Sequence, residues 1–431
     1  MKILVLGAYG LLGLPIAQAL AARGHTVVGL GRSVSFGKRV APKLEWIGAD
    51  IARLTTPEQW VALLSGVDAV VNAAGALQSG AKDRLEALHV DAISALVRAC
   101  EERGVRRFVQ ISAPGAAHDA TTSFMRTKAR GDDAVRASAL EWVVFKPGLV
   151  ISPYAYGGTA LLRSLAAFPL AQPLVLAQQR MQTVALDDVV DAVVRAVEGG
   201  TPSRCDYDLV EEAPHTLREI VARWRAHLGF GPARLTLSLP LWFGFPIAWL
   251  ADVGGWLGWR SPLRTTALRV LEGDVLGDPA PWRAVRGAPL ASLEEALART
   301  PSSLQERVFA RAQLVLPILL MSAVAFWMLS GAIGLIERQS AAVLLAPVLP
   351  PDQARWAVLF WSVVDLAIGG GMLFRRTTVF ANIAAIVVCL LYALGATLLT
   401  PVLWSDPLGP LVKIVPVACL SLALLALLQE R

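Results

Sequence analysis

The chain has 431 residues, of which 55% are hydrophobic and only 17% are charged, and its mean hydropathy is +0.53. This composition excludes both an ordinary soluble protein and a disordered one. The formal net charge of +6 comes without a basic run, so no nucleic-acid partner is expected, and four scattered cysteines predict neither a metal site nor a disulfide framework.

Short apolar segments alternate with amphipathic ones in the first third of the chain. The predicted strands are Lys2–Leu6, Thr26–Leu30, Leu44–Gly48, Ala69–Val71, Arg107–Ile111 and Trp142–Phe145. The predicted helices are Leu11–Arg23, Pro57–Ser65, Asp83–Arg103 and Ser123–Ser138. Continuous apolar strands separated by helices indicate a doubly wound parallel α/β sheet of the Rossmann type. A secretory signal is the alternative interpretation of the first apolar run, but the alternation continues far beyond it.

A tryptophan-rich segment, Leu239–Trp259, follows this region. Because tryptophan prefers the headgroup boundary, we predict that the segment lies at a membrane surface. A helical hairpin packed on the soluble domain is the alternative. The following stretch, up to Thr300, is polar and rich in Pro, Gly and Arg, and is predicted to be a connector.

The last part of the chain contains four apolar runs, each close to the ~20 residues that cross ~30 Å of hydrocarbon. They are Val315–Ile336, Trp356–Phe374, Val379–Leu399 and Leu411–Leu428. Arg307, Arg311, Arg375, Arg376 and Arg431 lie on one side of these runs, and Arg338, Arg355 and Lys413 lie on the other, so the positive-inside rule alone gives only a mild bias. The orientation is decided by the cofactor site, which has to face the cytoplasm. We therefore predict a multi-pass protein of the cytoplasmic (inner) membrane, with the soluble domain and both termini in the cytoplasm. The bundle is predicted to be a four-helix, all-α membrane domain.

Three glycines follow the first strand at intervals of three residues. Gly7 allows a tight turn, Gly10 permits an anion to approach the backbone, and Gly13 lets the next helix pack on the strand. A pyrophosphate would then lie at the helix N-terminus. Since the turn joins a strand to a helix, we interpret it as a dinucleotide-binding turn.

Arg32 stands near the end of the second strand, where an NAD-selective site commonly has an acidic residue. A guanidinium can pair with a 2′-phosphate through two hydrogen bonds. We therefore predict NADP(H) in preference to NAD(H). A solvated arginine is the alternative interpretation.

Further motifs accompany the glycine turn. They are GAD ending at Asp50, NAAG at Asn72–Gly75, Ser112 after the fifth strand, FMRTKARGD from Phe124, and KPG at Lys146–Gly148. With these motifs the N-terminal part resembles the atypical, extended-like branch of the short-chain dehydrogenase/reductase superfamily, of the NmrA-like type. The C-terminal part resembles the DoxX-like membrane family.

The resemblance implies a role for each matching residue. The pyrophosphate would be held by Gly7, Gly10, Leu11, Leu12 and Gly13, and the adenine by Asp50. The cofactor cleft would be lined by Ala73, Ala74 and Gly75. The nicotinamide ribose would be flanked by Lys128, Pro147 and Gly148. Ser112 and Lys128 would be the catalytic residues.

One position departs from the family. The active site of the family combines a serine with tyrosine and lysine at Y-x-x-x-K spacing, and here Phe124 stands four residues before Lys128. A phenyl ring has no proton to donate, so carbonyl and alcohol chemistry lacks its usual acid–base group. Hydride transfer itself does not require the phenol. Tyr154 and Tyr156 are interpreted as structural, with substitution for the missing hydroxyl as the alternative.

A carboxylate, Asp365, lies near the middle of the second predicted span. A buried carboxylate in lipid needs a proton or a partner, and Asn382 and Lys413 are the candidate partners. Two interpretations stay open: a proton or substrate site, and a hydrogen bond that only packs helices.

We predict three segments: an NAD(P)-binding domain at 1–235, an interfacial segment and connector at 236–305, and a DoxX-like domain at 306–431. The first hypothesis is a membrane-anchored NAD(P)H-dependent oxidoreductase acting on a lipophilic or membrane-delivered small molecule. The alternative is a non-catalytic subunit that binds NADPH as a structural or sensing ligand and assembles with a membrane-protein partner. A third hypothesis is that the bundle transports or gates something under cofactor control.

Overall fold

The computed structural model describes residues 1–77, 84–259, 261, 263–346, 348–407, 409 and 411–428. Contacts divide the chain into an N-terminal unit, residues 1–252 and 261–307, and a C-terminal unit, residues 253–260 and 308–431. Asp83, the predicted start of one helix, and the last three residues of the predicted membrane domain lie outside the described residues.

The strands of the N-terminal unit are β1 (Lys2–Leu6), β2 (Thr26–Gly31), β3 (Glu45–Gly48), β4 (Ala69–Asn72), β5 (Arg107–Ile111), β6 (Glu141–Pro147), β7 (Leu149–Ile151), β8 (Ala171–Val175), β9 (Arg180–Met181), β10 (Thr183–Ala185), β11 (Cys205–Leu209), β12 (His215–Thr216) and β13 (Leu235–Leu239). Seven of them form a parallel sheet in the order β11-β6-β5-β4-β1-β2-β3. The order reverses between β4 and β1, which is where a doubly wound sheet opens a crevice at its carboxyl edge.

The helices begin with α1 (Gly13–Ala22), α2 (Val34–Val40), α3 (Pro57–Val61), α4 (Ala92–Arg103), α5 (Ser123–Arg136), α6 (Gly158–Ala166), α7 (Leu186–Val197), α8 (Leu217–His227) and α9 (Leu241–Trp256). They continue with α10 (Thr265–Val270), α11 (Ala280–Arg286), α12 (Leu293–Ala298), α13 (Leu304–Ile336), α14 (Arg338–Leu344), α15 (Pro351–Leu373), α16 (Thr378–Leu399) and α17 (Ile414–Leu427). A π-helical turn, Ala87–Asp91, precedes α4, and short 3₁₀ turns cover Ile51–Arg53 and Pro401–Trp404.

The central sheet is buried on both faces. Alternate residues of a strand point to opposite faces, and in β1 Ile3 and Val5 join the apolar layer under α1 and α7, while Leu4 and Leu6 join the layer under α4. This double burial explains why the strands are continuous apolar runs. The predicted parallel α/β fold is confirmed.

The polar stretch expected to be a connector is folded instead. Helices α10, α11 and α12 lie within it, and Trp282 of α11 is 2% exposed. Its ring packs edge-on against Phe145 and Tyr207 of the central sheet, with centroids 5.2 and 5.3 Å away. Asp188 of α7 accepts hydrogen bonds from the Ala291 amide and from Arg286. Leu268 of α10 and Leu293, Ala296 and Leu297 of α12 are buried as well. These helices have only six residues each, which is too short for a clear hydrophobic period in the sequence.

The C-terminal unit is helical. Three of its described helices, α13, α15 and α16, are long and apolar enough to cross a membrane. The predicted fourth span is present as α17, but this helix has 14 residues and a length of ~21 Å at 1.5 Å per residue, which is shorter than the hydrocarbon core. A Cβ on Gly331 would lie 2.6 Å from the Ser362 carbonyl oxygen, and one on Gly369 would lie 2.8 Å from Met328. Glycine therefore lets α13 and α15 approach closely.

Candidate functional site

The glycine turn joins β1 to α1 and lies against the loop that follows β4. Gly7 has a φ of +69°, and a Cβ there would lie 2.9 Å from the Cα of Ala74. A Cβ on Gly13 would lie 2.2 Å from the carbonyl oxygen of Gly7. Only glycine fits both positions, because one needs a left-handed backbone and the other leaves no room for a side chain. The turn and Ala73–Gly75 therefore lie side by side, as predicted for the two walls of a cofactor cleft.

The first turn of α1 has features of an anion-binding helix N-terminus. Its N-cap residue, Leu12, supplies no side-chain hydrogen bond, and the first turn contains no acidic residue. The Gly10 and Leu14 amides already donate to the carbonyl oxygens of Gly7 and Gly10, and Pro15 has no amide proton. A phosphate at this helix N-terminus would therefore be met by the amides between Gly10 and Leu14. A Cβ on Gly10 would meet the Gly7 carbonyl oxygen at 3.1 Å. Gly10, Leu11, Leu12 and Gly13 lie at the carboxyl edge of the sheet, where the sequence predicts a pyrophosphate site.

The adenosine end of the predicted site lies at the end of β2. Arg32 directly follows this strand and is exposed. Asp50 follows β3, accepts a hydrogen bond from the Ala52 amide at 3.3 Å, and lies 3.7 Å from Arg53. The Asp50 carboxylate therefore also caps the 3₁₀ turn, a role that the motif alone does not indicate.

An aromatic cluster beside Arg32 was not predicted. The ring of Tyr9, which lies within the glycine turn, is 5.3 Å from Phe36 and 5.9 Å from Trp46 between centroids. A Cβ on Gly31 would lie 2.3 Å from the Tyr9 ring, so the end of β2 must be glycine to admit it. Tyr9, between Gly7 and Gly10, was the available signal in the sequence, because a side chain of this size must project out of the turn.

Lys128 lies on α5 and is buried. Its Nζ donates a hydrogen bond of 2.9 Å to the carbonyl oxygen of Ile111 and lies 3.6 Å from the position of a Cβ on Gly75. Burial lowers the pKa of Lys128, and the nearby charge of Asp132 opposes this shift. The structure thus brings the ammonium group to the loop predicted to line the cofactor cleft.

Ser112 is engaged with a carboxylate that sequence reasoning missed. Its hydroxyl donates a short hydrogen bond to Asp132, which lies one turn after Lys128 on α5. Gln110 donates to the other oxygen of Asp132 at 3.2 Å and accepts from Asn72 at 2.8 Å. Burial raises the pKa of Asp132, although the bonds from Ser112 and Gln110 and the charge of Lys128 oppose the shift. The Ser112 proton is therefore committed to Asp132 in this structure.

Phe124 lies beside a second unpredicted residue, His89. Their ring centroids are 5.8 Å apart, with the planes nearly perpendicular. His89 Nε2 accepts a hydrogen bond from the Ala76 amide at 3.3 Å, so the proton is on Nδ1, which lies 2.9 Å from Thr127 Oγ1. Burial, together with the charge of Lys128, lowers the pKa of His89 to about 2. His89 therefore links the loop after β4 to α5 through the hydrogen bonds of its neutral ring.

The remaining predicted residues lie farther along the same edge. Pro147 ends β6, and a Cβ on Gly148 would lie 2.5 Å from the Gln182 carbonyl oxygen. Tyr154 is 50% exposed, and its carbonyl oxygen accepts a hydrogen bond from Thr159. Pro147 and Gly148 lie at the end of β6, next to β5, whose last carbonyl oxygen accepts the hydrogen bond from Lys128. Their common location rests on the parallel pairing of β5 with β6.

Two family models match different parts of the chain. Residues 7–168 match a family described as NAD(P)H-binding, and residues 324–422 match the DoxX-like family. The first match covers the glycine turn, Ser112 and Lys128, and the second covers Asp365. The chain thus combines a Rossmann domain that is similar to the NAD(P)H-binding family with a helical region that is similar to the DoxX-like family.

Two relatives of the Rossmann domain have names that describe different functions. The chain is 28% identical over 260 residues to 2-alkyl-3-oxoalkanoate reductase of Stenotrophomonas maltophilia, covering 53% of this chain and 76% of that protein. It is 30% identical over 230 residues to the photosystem II assembly factor Ycf39 of Synechocystis, covering 51% and 66%. This chain is thus similar in sequence both to a reductase and to an assembly factor.

Solved structures share the fold. WbmH of Bordetella bronchiseptica, in complex with NAD+, is 19% identical, with a TM-score of 0.53 over 69% of this chain and 96% of that one. UDP-glucose 4-epimerase of Thermus thermophilus, in complex with NAD, is also 19% identical, with a TM-score of 0.52 over 70% and 97%. These similarities show the fold. The nicotinamide cofactor is supported by the NAD(P)H-binding family model, which leaves the choice between NAD(H) and NADP(H) open.

In the DoxX-like domain, Asp365 of α15 is 5% exposed and has partners other than the expected ones. Ser330 of α13 donates to its carboxylate at 2.7 Å, and the Tyr392 hydroxyl of α16 donates at 2.9 Å. The expected pairing with Asn382 or Lys413 is not observed. Asn382 lies at the beginning of α16 and donates instead to the Thr378 carbonyl oxygen, whereas Tyr392 lies nearly three turns later, level with Asp365.

Proposed function

We propose that this protein is a membrane-anchored, NADPH-dependent reductase that acts on a lipophilic small molecule delivered by the bilayer. The observation that carries the proposal is the cofactor cleft, in which an uncapped, glycine-lined helix N-terminus and the buried ammonium of Lys128 flank the loop Ala73–Gly75. The Stenotrophomonas relative is named as a reductase of an oxoalkanoate, and the apolar helices would keep this chain beside lipids.

In this proposal the cofactor supplies the hydride. The amides of Leu11, Leu12 and Gly13 would bind the pyrophosphate, and Lys128 would position the nicotinamide ribose and hold positive charge beside it. Ser112 would contribute to the reaction only after its hydroxyl turns away from Asp132. We further propose that the Rossmann domain and both termini lie in the cytoplasm, because the nicotinamide cofactors are cytosolic, and that the membrane is the cytoplasmic one.

A second candidate function is supported by two specific observations. Phe124 replaces the proton-donating tyrosine, and the hydroxyl of Ser112 is committed to Asp132. Both features suit a domain that binds NADPH without turnover and acts as a structural or sensing subunit with a membrane-protein partner. The Synechocystis relative is named as an assembly factor, which is consistent with this alternative.

Binding and turnover separate the two functions. The purified full-length protein in detergent is expected to bind NADPH, and Gly10→Val is expected to abolish binding, because its side chain fills the approach to the pyrophosphate. Gly273→Ala is the matched control, since its Cβ would meet no atom within 4 Å. NADPH oxidation with a panel of lipophilic ketones, enals and quinones supports the reductase. Tight binding with no oxidation across the panel would leave only the non-catalytic function.

A further inference from the structure

Helix α9 presents an entirely apolar face outward. Its inward side is made of small residues: Gly244 and Ala248 are buried, and a Cβ on Gly244 would lie 3.1 Å from Leu268 and 3.3 Å from Val175. The outward residues are each 40–65% exposed, and they are Trp242, Phe243, Ile247, Trp249, Leu250, Val253 and Trp256. Soluble surfaces rarely expose so large a contiguous apolar patch.

The one charged side chain of the helix is paired and largely buried. Asp252 is the only ionisable residue of α9. Its carboxylate lies 3.0 Å from the guanidinium of Arg264 and accepts a hydrogen bond of 2.5 Å from Thr265, and the two charged side chains are 16% and 15% exposed. The outward face therefore carries no charge that would favour water.

The residues just after α9 indicate the depth at which this helix would lie in a membrane. The indole nitrogen of Trp259 donates at 2.6 Å to the carbonyl oxygen of Leu373, the last residue of the apolar helix α15. Arg375 donates its amide proton to the Leu257 carbonyl oxygen at 3.0 Å, and its guanidinium lies 5.6 Å from the centre of the Trp259 ring. Tryptophan and arginine at the end of a span are typical of the level where hydrocarbon meets headgroups.

We infer that the outward face of α9 is a lipid-binding surface embedded in the headgroup–acyl boundary. A transmembrane orientation does not fit, because 16 residues reach only ~24 Å and Pro246 interrupts the helix. The tryptophans suit the boundary, since an indole combines an apolar ring with an N–H donor. This inference does not depend on reductase activity.

Spin-label accessibility tests the surface in the full-length protein, reconstituted as one copy per phosphatidylcholine–phosphatidylglycerol nanodisc. Cys205→Ser and Cys419→Ala first remove the accessible thiols. A nitroxide is then attached to Leu250→Cys on the outward face, with Ile247→Cys as a second position. The controls are Glu102→Cys, on an exposed position of α4, and Phe380→Cys, on a 73% exposed position of α16.

The expected result is that labels at positions 250 and 247 collide with oxygen more often than with a water-soluble nickel chelate, as the label at position 380 does. Their oxygen-to-nickel ratio should exceed that at position 102 severalfold. A ratio equal to that of position 102 would mean that the face lies in water. Immobile labels that reach neither reagent would mean that protein covers the face. Either outcome overturns the inference.

Discussion

At the residue scale, the predicted preference for NADP(H) depends on one guanidinium. Arg32 directly follows β2 and is exposed beside the aromatic cluster of Tyr9, Phe36 and Trp46. A 2′-phosphate on the adenosine ribose would lie near the end of this strand. An NAD-selective site would need a carboxylate there to accept the ribose hydroxyls, and the position instead carries a donor.

Arg32→Ala is expected to weaken NADPH binding by about 10- to 100-fold, because a hydrogen bond to a charged group contributes about 1.5–3 kcal/mol. NADH binding should change little, since NADH lacks the 2′-phosphate. The measurement is the Kd of each cofactor by titration calorimetry. Arg23→Ala is a matched control, because it removes the same charge at the far end of α1. Equal losses for the two cofactors would remove the basis for NADPH preference.

A second test at this scale restores the missing phenol. Phe124→Tyr places a hydroxyl four residues before Lys128, where the lowered amine pKa and the positive charge can assist proton transfer. Carbonyl reduction should rise by ~10²–10⁴-fold when a substrate fits. Phe124→Leu is the control, since it lacks a hydroxyl and should show no gain. No gain from Phe124→Tyr, with NADPH affinity unchanged, would indicate a pocket that does not bind a carbonyl.

At the scale of elements, the cofactor cleft depends on how the π-helical turn Ala87–Asp91 meets α5. A Cβ on Gly131 would lie 2.1 Å from the carbonyl oxygen of His89, so the two backbones are in close contact. The ring of His89 then reaches both α5 and the loop after β4. This contact positions Lys128 relative to Gly75, because both sides of the cleft are fastened to the same neutral imidazole.

The neutral ring makes stability depend on pH. The pKa of His89 is about 2 in the folded protein and has an ordinary value of 6.5 in the unfolded chain. Below pH 6.5 the unfolded chain binds a proton that the folded protein does not. Stability should therefore fall as pH decreases, approaching about 1.4 kcal/mol per pH unit, with no contribution from His89 above pH 6.5.

His89→Gln removes this titration while its amide can still accept from Ala76 and donate to Thr127. The thermal unfolding midpoint of the wild-type protein should decrease more steeply than that of His89→Gln between pH 6.5 and pH 5. Asp132 remains in both proteins, so the difference isolates His89. Parallel curves would show that His89 is protonated in the folded state.

At the scale of the whole molecule, the chain combines a water-soluble cofactor domain with a bundle that has its own polar centre. Asp365 links α15 to Ser330 of α13 and Tyr392 of α16. A carboxylate that accepts two hydroxyl donors is a satisfied group inside an apolar bundle. The observed geometry thus supports a role in holding three helices together, and a proton or substrate role stays a prediction.

Two substitutions distinguish these roles. Asp365→Ala should lower the thermal unfolding midpoint of the bundle, because it leaves two buried hydroxyls without an acceptor, at a cost of about 1–3 kcal/mol for each group. Asp365→Asn keeps an acceptor oxygen and should leave the midpoint nearly unchanged. Loss of NADPH oxidation in Asp365→Asn at an unchanged midpoint would identify a functional site. Full activity would leave the bundle as an anchor.

The sequence by itself determined the features that depend on local pattern. Continuous apolar strands, glycines at Gly7, Gly10 and Gly13, and apolar runs long enough for a bilayer predict the Rossmann sheet and the apolar helices, because periodicity and backbone freedom are properties of neighbouring residues. The missing phenol at Phe124 was equally visible, since its spacing to Lys128 lies within one helical turn.

Only the tertiary structure decided which polar groups meet. Ser112 and Asp132 are 20 residues apart, Asn72 and Gln110 are 38 apart, and Ser330 and Asp365 are 35 apart. Each pair forms where two elements pack, and no local pattern marks the partner. The same reason explains why the expected pairing of Asp365 with Asn382 was wrong. The sequence placed both residues in spans, but the packing of neighbouring helices sets the depth at which they align.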